Sequence, residues 1–522
     1  MVDAAHNPHA ILVTYPLQGH VIPSVHLAIK LASRGFTITF INTKSIHHQI
    51  TSTAKDSGED IFAAARKMGL DIRYTTISDG LPLKFNRSLN RDKFNASLLH
   101  VFSAHVEEAV EEIVKGAEPA VSCLIADTFF VWPGKMAKKY GLLYISFWAE
   151  PALIFTLYYH LHLLRLNGHF GCIDLREDPI NYIPGVDSLE PKDLASYLQE
   201  TNTTTACRRI LFGAFDDVRE ANYVLCNTVQ ELEPKTISAL RERLKFFAVG
   251  PIFPPRFTKS IVPTSLWAES DCTSWLDSKP HGSVLFVNVN FIWVLRPDSV
   301  TSNDEKNPLP DGFQQEETSD RAMIVPWCCQ IQVLAHPAIQ GFLTHCGWNS
   351  ILESIWCQVP LLCFPLNTDQ FTNRKLVVND WKIGINLCER KPVTRVEVSK
   401  KIKHLMTGKS ADELSHAIKE VKKTLEQAVA ADGSSEKNMD QFIQELKVQI
   451  QNKEQKQECG IQQPSETTLV NFPTWRYCPG ICRTHFEEPD NRIWSLPGQL
   501  QRKFQCTHSP RVPEAKETSS FR

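Results

Sequence analysis

The first half of the chain alternates short apolar runs with segments of helical period. Residues 10–16 form an apolar run, a turn at Gly19 and His20 follows, and apolar residues from Val21 to Ala32 then recur at helical spacing. The apolar run at 36–42 predicts a second strand. Further strand patterns occur at 121–127, 144–147 and 223–227. This pattern predicts a parallel α/β sheet with helices on both faces.

A proline-rich segment at 249–257 interrupts the pattern and is typical of an interdomain linker. A second series of strands and helices follows it, and three amphipathic stretches close that series. The strand patterns lie at 323–326, 341–345, 359–364 and 383–387, and the amphipathic stretches lie at 394–406, 411–431 and 436–451. Two Rossmann-like domains in tandem are therefore expected, with a ligand cleft at the carboxyl ends of the strands.

The balance of charge gives no reason to expect nucleic acid or an anionic membrane as the main partner. Lys and Arg number 56 and Asp and Glu number 58, which gives a formal net charge of −2. No apolar run reaches the roughly 18 residues that a transmembrane helix requires, and residues 1–9 lack the features of a secretory signal. We therefore expect a cytoplasmic protein without an integral membrane segment.

The 15 cysteines follow no framework spacing, so reduced, structural thiols are expected. In the C-terminal tail, Cys478, Cys482 and His485 form a weak candidate for a metal site. Their spacing is unusual for zinc and a fourth ligand is not obvious. The sequence thus predicts no metal, and the polar tail from residue 451 onward is expected to be disordered.

The segment 327–370 carries the candidate chemistry. Its middle predicts a strand that turns through residues 346–347 into a helix. A helix N-terminus presents unpaired backbone N–H groups and about half a positive charge, which suits a diphosphate. His345, Asn349 and Ser350 add side-chain donors at this turn, so an anion can be held there without a metal ion.

Other residues of this segment suit the remaining parts of a nucleotide sugar. Glu353 lies one helical turn further along and suits ribose hydroxyls, and Trp327 offers a flat ring for a base. Asp369 and Gln370 suit the hydroxyls of a sugar. Each residue alone also has a structural explanation, such as a core position for Trp348 or a helix cap, but the ordered set favours a ligand site.

The same segment resembles the signature of plant family 1 UDP-sugar-dependent glycosyltransferases. In the N-terminal half, PLQGHVIPSVHLA and IADTFF also resemble segments of that family. The signature is carried by Trp327, Gln330, His336, Gly341, His345, Cys346, Gly347, Trp348, Asn349, Ser350, Glu353, Pro360, Pro365, Asp369 and Gln370.

This resemblance implies a GT-B fold of two Rossmann-like domains facing each other across a cleft. It implies an acceptor-binding domain at 1–250, a linker at 251–270, a UDP-sugar-binding domain at 271–432, a helix at 433–450 that packs back toward the first domain, and an atypical tail at 451–522.

The resemblance also assigns roles to individual residues. His20 would be the catalytic base and Asp127 its orienting partner, in an inverting transfer of a sugar to a hydroxyl of a small lipophilic acceptor. Gln370 favours UDP-glucose over UDP-galactose as donor. No metal cofactor is implied. Donor-binding positions are Trp327, Gln330, His345, Trp348, Asn349, Ser350, Glu353, Asp369 and Gln370.

Two features depart from the family. Gln340 and Gln358 occupy positions that are usually glycine, and a required positive φ would cost about 1 kcal/mol or more there. At 283–296 the family's Gly-Ser phosphate loop and following helix are missing, although neighbouring parallel strands need a crossover of roughly a dozen residues. Either 284–296 forms one long strand or one of its two apolar runs lies outside the sheet.

These departures leave a second hypothesis, a degenerate or mis-spliced glycosyltransferase that binds nucleotide weakly or folds poorly. A third, a dehydrogenase of the same fold class, is disfavoured because no G-x-G-x-x-G sequence follows any predicted strand.

Overall fold

The computed structural model describes residues 7–458 apart from a few short internal segments and one longer one. The residues left out within that range are 54–58, 172–175, 201, 203, 255–256, 260–264, 268, 287–289, 296–320 and 388–392. The metal candidate Cys478, Cys482 and His485 therefore lies outside the described residues, as does the tail from 459 onward. Among the described residues, no helix is both long enough and apolar enough to cross a membrane.

The N-terminal half forms a seven-stranded parallel sheet in the order β3-β2-β1-β4-β5-β6-β7. Its central strands are largely apolar and buried on both faces, as expected where helices cover both sides, whereas the edge strand β3 is fully buried only at its two ends. The order reverses between β1 and β4, which places the ends of these two strands at a topological switch point. The strands are β1 His9–Val13, β2 Thr37–Thr43, β3 Ile72–Ile77, β4 Val121–Asp127, β5 Leu143–Trp148, β6 Tyr223–Cys226 and β7 Phe246–Ala248.

Eleven α-helices are described in this half. Residues of α1 that face the sheet, such as Val21, Val25 and Leu31, are completely buried, so the helical period of the sequence fixes which face packs. The helices are α1 Gln18–Ala32, α2 Lys44–Thr53, α3 Ala63–Lys67, α4 Arg91–His100, α5 Phe102–Gly116, α6 Pro133–Tyr140, α7 Ala152–Tyr159, α8 Leu161–Leu166, α9 Ser196–Gln199, α10 Ala206–Asp217 and α11 Pro234–Arg241.

The second sheet has six parallel strands in the order β10-β9-β8-β11-β12-β13. Its strands are β8 Val284–Phe286, β9 Asn290–Val294, β10 Ala322–Val325, β11 Ile339–Thr344, β12 Leu361–Cys363 and β13 Gly384–Asn386. Its described helices are α12 Thr273–Asp277, α13 Gln330–Leu334, α14 Trp348–Cys357 and α15 Gln370–Lys375. The described residues of both sheets fall within one compact unit, residues 1–460.

The expectation for residues 284–296 was wrong in both of its forms. The two apolar runs form separate strands, and β8 pairs with β9 in parallel, with Val284 opposite Asn290. Both runs join the sheet because each supplies fully buried side chains, Leu285 in β8 and Ile292 in β9. Only residues 287–289 connect these parallel neighbours, far fewer than the usual crossover.

Three helices follow the second sheet, α16 Arg395–Met406, α17 Gly408–Val429 and α18 Ser434–Glu458. The last one packs on the first sheet, where Phe442 is completely buried and Asn438 Nδ2 donates to the backbone oxygen of Ala248 at 2.8 Å. Helix α18 also continues through residues 451–458, which the sequence had placed in the disordered tail. Gln, Lys and Glu fill this stretch, and these residues favour helix when no glycine or proline interrupts them.

The two glutamines at usual glycine positions have different backbone conformations. Gln358 ends α14 in the left-handed region with φ 60°, whereas Gln340 lies within β11. We expect Gln358→Gly to raise the free energy of unfolding by up to about 1 kcal/mol, because glycine adopts this conformation without a steric penalty.

The matched control is Gln340→Gly, which places glycine inside a strand and should lower that free energy by roughly 0.5 to 1 kcal/mol. Urea denaturation of both variants measures the two changes. Equal changes of the same sign would contradict the assignment of the left-handed position.

Candidate active site

His20 and Asp127 meet at the carboxyl edge of the first sheet. His20 lies in the first turn of α1, and Asp127 is the last residue of β4. The His20 Nδ1 atom lies 2.8 Å from Asp127 Oδ2, and Asp127 is buried. Asp127 Oδ1 accepts a further hydrogen bond from the backbone N–H of Phe129 at 3.0 Å. Because Nδ1–H donates to the carboxylate, Nε2 is the ring nitrogen that can take a proton.

The surroundings of His20 set its basicity. Burial lowers the pKa of His20, but the charge of Asp127 and its hydrogen bond outweigh burial, so the pKa is raised overall. The carboxylate of Asp369, which lies at the start of α15 in the second half of the chain, raises the His20 pKa further. The rings of Tyr15 and Phe129 lie 5.4 and 5.1 Å from the imidazole, centroid to centroid, and give the base apolar walls.

The N-terminus of α14 has the geometry of an anion site. Gly347 is its N-cap and has no side chain that could accept a hydrogen bond from the first turn. The preceding Cys346 adopts φ 68°, a left-handed conformation that costs of order 1 to 3 kcal/mol in a residue other than glycine. A Cβ atom on Gly347 would lie 2.7 Å from His345 Nε2, so a larger residue there would displace the His345 ring. His345 itself is exposed beside this turn.

Gln330, Ser350 and Glu353 form one hydrogen-bonded group beside this terminus. Gln330 Nε2 donates to Ser350 Oγ at 3.0 Å and to Glu353 Oε2 at 2.8 Å. Burial raises the pKa of Glu353 to about 7, although the hydrogen bond from Gln330 acts in the opposite direction. The Glu353 carboxyl can therefore change its charge near neutral pH.

Asp369 and Gln370 lie at the start of α15, after a loop that turns sharply at Thr368. Thr368 has φ 57°, and its hydroxyl donates to Asp369 Oδ1 at 2.7 Å. Gln370 Oε1 accepts from the backbone N–H groups of Leu366 and Asn367 at 2.9 and 3.1 Å. The amide of Gln370 therefore holds this loop in place, with Asp369 beside it.

Two residues of α14 form hydrogen bonds with the first half of the chain. Asn349 Nδ2 donates to the backbone oxygen of Gly19 at 2.9 Å, directly before His20. Trp348 Nε1 donates to the backbone oxygen of Asn227 at 2.7 Å, and the indole is buried. The Trp348 side chain is thus a core element between the two sheets, as its structural explanation suggested.

Trp327 follows β10 and is half-buried. The centroids of the Trp327 and Trp267 rings lie 6.2 Å apart with an interplanar angle of 32°. The Trp327 Nε1 atom is buried without a hydrogen-bond partner among the described residues.

Sequence reasoning missed Glu150 and the contacts near Ser196. Glu150 follows β5, and its Oε2 atom is buried without a partner among the described residues. The backbone N–H of Ser196 donates to the Thr368 oxygen, and Ser196 Oγ accepts from the Thr368 N–H, both at 2.9 Å. A usable signal existed for Glu150, because it is the charged residue inside the apolar run SFWAEPALIF.

Comparisons with known proteins show the family to which the chain belongs. The sequence matches the family described as UDP-glucoronosyl and UDP-glucosyl transferase over residues 309–426. UDP-glycosyltransferase 86A1 of Arabidopsis thaliana is 54% identical over 475 residues, which are 86% of this chain and 96% of that relative. The chain belongs to the plant family 1 UDP-glycosyltransferases. UDP-glycosyltransferase 86A2 of the same plant is 55% identical over 84% of this glycosyltransferase and 95% of its own length.

Solved glycosyltransferases share the fold. UGT2 of Phytolacca americana, complexed with UDP-2fluoro-glucose and pterostilbene, aligns with a TM-score of 0.65 at 25% identity, over 84% of this chain and 99% of that one. UGT71G1 of Medicago truncatula, complexed with UDP-glucose, aligns with a TM-score of 0.69 at 23% identity. The alignment covers 86% of this chain and 100% of UGT71G1. The predicted GT-B fold is confirmed.

Proposed function

We propose that this glycosyltransferase moves glucose from UDP-glucose to a hydroxyl of a small lipophilic acceptor, with inversion and without a metal ion. The observation that carries the proposal is the His20–Asp127 pair, which Asn349 joins to the α14 N-terminus through the Gly19 carbonyl. A base and an anion site are thus adjacent. This is the arrangement that a displacement at an anomeric carbon requires.

His20 Nε2 takes the proton of the acceptor hydroxyl while the oxygen attacks the anomeric carbon. Asp127 holds Nδ1–H, fixes the tautomer and stabilises the imidazolium that forms. One displacement occurs, so the configuration at that carbon inverts. The oxygen forms its bond to the sugar as the bond between the sugar and UDP breaks.

UDP leaves as an anion. The unpaired N–H groups at the α14 N-terminus and the side chains of His345 and Ser350 are the donors that would hold its diphosphate. The negative charge is met by these donors and by the helix dipole, which supports a reaction without a metal. Among the described residues, no group of three or more His, Cys, Asp or Glu side chains has the geometry of a metal site.

The remaining donor contacts follow from the same site. We place the uracil against the half-buried Trp327 ring, the ribose hydroxyls at Glu353, and the sugar hydroxyls at Asp369 and Gln370. Two similar proteins are named as glucosyltransferases. They are 7-deoxyloganetin glucosyltransferase of Gardenia jasminoides, at 32% identity, and gallate 1-beta-glucosyltransferase 84A23 of Punica granatum, at 30% identity. These names support glucose as the sugar.

A coupled assay of UDP release tests the proposal. Purified full-length chain is incubated with a panel of phenols and terpenoid alcohols, with UDP-glucose or UDP-galactose, and with or without EDTA. Release should require an acceptor, should be faster with UDP-glucose, and should not change with EDTA. Release that depends on added Mg²⁺ would contradict the metal-free mechanism. Binding of UDP without turnover would favour the degenerate-protein hypothesis.

The ribose contact predicts a pH dependence of nucleoside affinity. The pKa of Glu353 is about 7 in the ligand-free protein. An ionised carboxylate accepts hydrogen bonds from hydroxyls better than a neutral one, so the affinity for uridine should rise as pH increases from 6 to 8. Uridine is the suitable probe, because it has no phosphate that titrates in this range.

Calorimetry of uridine binding at several pH values measures this effect. Glu353→Gln should bind uridine more weakly at pH 8 and should lose the rise with pH. Glu426→Gln, an exposed position on α17, is the control and should keep it. A Glu353→Gln variant with the wild-type pH profile would exclude Glu353 as the ribose contact.

The cytoplasmic location stays a prediction, which imaging of a fluorescent fusion would check.

A further inference from the structure

Glu150 is a partly buried residue with one buried carboxyl oxygen, and the mechanism above does not use it. It follows β5, whose last residue Trp148 is next to the Asp127 end of β4 in the sheet. Its backbone oxygen accepts a weak hydrogen bond from Cys226 Sγ at 3.4 Å. Its Oε2 atom has no hydrogen-bond partner among the described residues although it is buried. A buried carboxyl oxygen without a partner is costly unless a ligand supplies one.

Glu150 lies at the carboxyl edge of the first sheet, two residues after the end of β5. Asp127 at the end of β4 and Asp369 before α15 are both close enough to influence its ionisation. The charge of Glu150 also raises the pKa of Tyr158 in α7 and of Tyr197 in α9, although burial is the larger cause in both. Because β4 and β5 are neighbouring parallel strands with Asp127 opposite Phe147, Glu150 lies at the same edge of the first sheet as the His20–Asp127 pair, on the acceptor side of the proposed donor contacts.

These neighbours determine the state of the carboxyl. Burial, together with the nearby Asp369 and Asp127 carboxylates, raises the pKa of Glu150 well above its ordinary value. No arginine or lysine contributes to this shift, and the two tyrosines bear no charge at neutral pH. Both causes shift the equilibrium toward the neutral acid, whose O–H is a hydrogen-bond donor.

Resting on the proposed function, we propose that Glu150 selects the acceptor. Its carboxylic acid donates a hydrogen bond to a second, uncharged oxygen of the acceptor, such as a ketone or an ether, while His20 takes the proton of the reacting hydroxyl. The same cleft disfavours acceptors that carry a carboxylate, because Asp127 and Asp369 already place negative charge there. The preferred substrates are thus neutral hydroxylated compounds with an additional oxygen.

Three phenols of similar size separate the effect of a second neutral oxygen from the effect of a negative charge on the acceptor. We choose 4-hydroxyacetophenone, which has a neutral carbonyl, 4-ethylphenol, which lacks the second oxygen, and 4-hydroxybenzoate, which carries a charge. With UDP-glucose as donor, wild-type kcat/KM for the ketone should exceed that for either of the others by about tenfold, the ratio that one hydrogen bond of average strength provides.

The variants test the role of Glu150 itself. In Glu150→Ala, kcat/KM for the ketone should become about equal to kcat/KM for 4-ethylphenol. The change should come mainly from KM for the acceptor, and KM for UDP-glucose should be unchanged. Glu150→Gln keeps an N–H donor and should keep most of the preference. Thermal unfolding of each variant verifies folding.

The outcomes distinguish this inference from the proposed function. If no phenol or other acceptor releases UDP, the proposed function fails and the role of Glu150 fails with it. If the wild type turns over but Glu150→Ala keeps the wild-type preference, only the role of Glu150 is overturned. A change confined to KM for UDP-glucose would also overturn it, because Glu150 would then contact the donor. Glu231→Gln, an exposed control, should behave as the wild type.

Discussion

Replacing His20 with alanine is expected to lower kcat for glucosyl transfer by about 10² to 10⁴-fold, the usual contribution of a positioned general base. The proposed donor contacts lie in the second half of the chain, away from His20. The affinity for UDP should therefore change by no more than a few-fold from the wild-type value. Initial rates of UDP release and calorimetry of UDP binding measure the two effects. His48→Ala, at an exposed position on α2, is the matched control and should retain full activity.

The partner of His20 gives an independent check of this mechanism. In the wild type the rate should rise with pH through the raised pKa of His20, because the imidazole must be neutral to accept a proton. Asp127→Asn removes the charge that raises this pKa, so the acidic limb of the pH–rate profile should move to lower pH while the maximal rate falls. A limb that does not move would contradict the assignment of His20 and Asp127.

Inserting a crossover between Val287 and Asn288 is expected to increase the catalytic efficiency with UDP-glucose by about 10² or more. Strands β8 and β9 are parallel neighbours joined through only residues 287–289, where the family resemblance implies a phosphate loop and a helix. Restoring a Gly-Ser turn and a helix of roughly twelve residues would add backbone donors for the diphosphate, and one such donor contributes about 10² to 10³ in rate.

A Gly/Ser insertion of the same length is the control for this experiment. It relieves the short connection but provides no helix, so it should restore stability in part and catalytic efficiency hardly at all. UDP-release kinetics and thermal unfolding compare the three proteins. If neither insertion improves on the wild type, the existing connection is sufficient and the donor site at α14 is complete without that loop.

The sequence predicted the elements whose residues carry a strong local signal. The apolar run at 121–127 became β4 with the same bounds, because its central residues 123–126 are all apolar and completely buried, as expected for a strand covered on both faces. The amphipathic stretches at 394–406 and 411–431 became α16 and α17. The His20–Asp127 pairing needed the family resemblance, since 107 residues separate the two side chains along the chain.

Other features could not be predicted, because they depend on contacts between distant segments. The pairing of β8 with β9 contradicts the usual length of a crossover, and burial of Leu285 and Ile292 outweighed that rule. The left-handed conformation of Thr368 is held by Ser196, which belongs to the other half of the chain. Gln340 and Gln358 looked equivalent, yet only the second ends a helix.

The hydrogen bonds that connect the two halves have a consequence for how such enzymes diversify. Asn349 and Trp348 donate to the backbone oxygens of Gly19 and Asn227, and Thr372 Oγ1 donates to that of Asp193 at 2.6 Å. Each of these bonds ends on the main chain, which every amino acid supplies alike. These three bonds can therefore survive changes of side chain in the acceptor half over evolution, whereas Ser196 Oγ, which accepts from the Thr368 N–H, and Asp193, which pairs with Arg374, tie the two halves together through particular side chains.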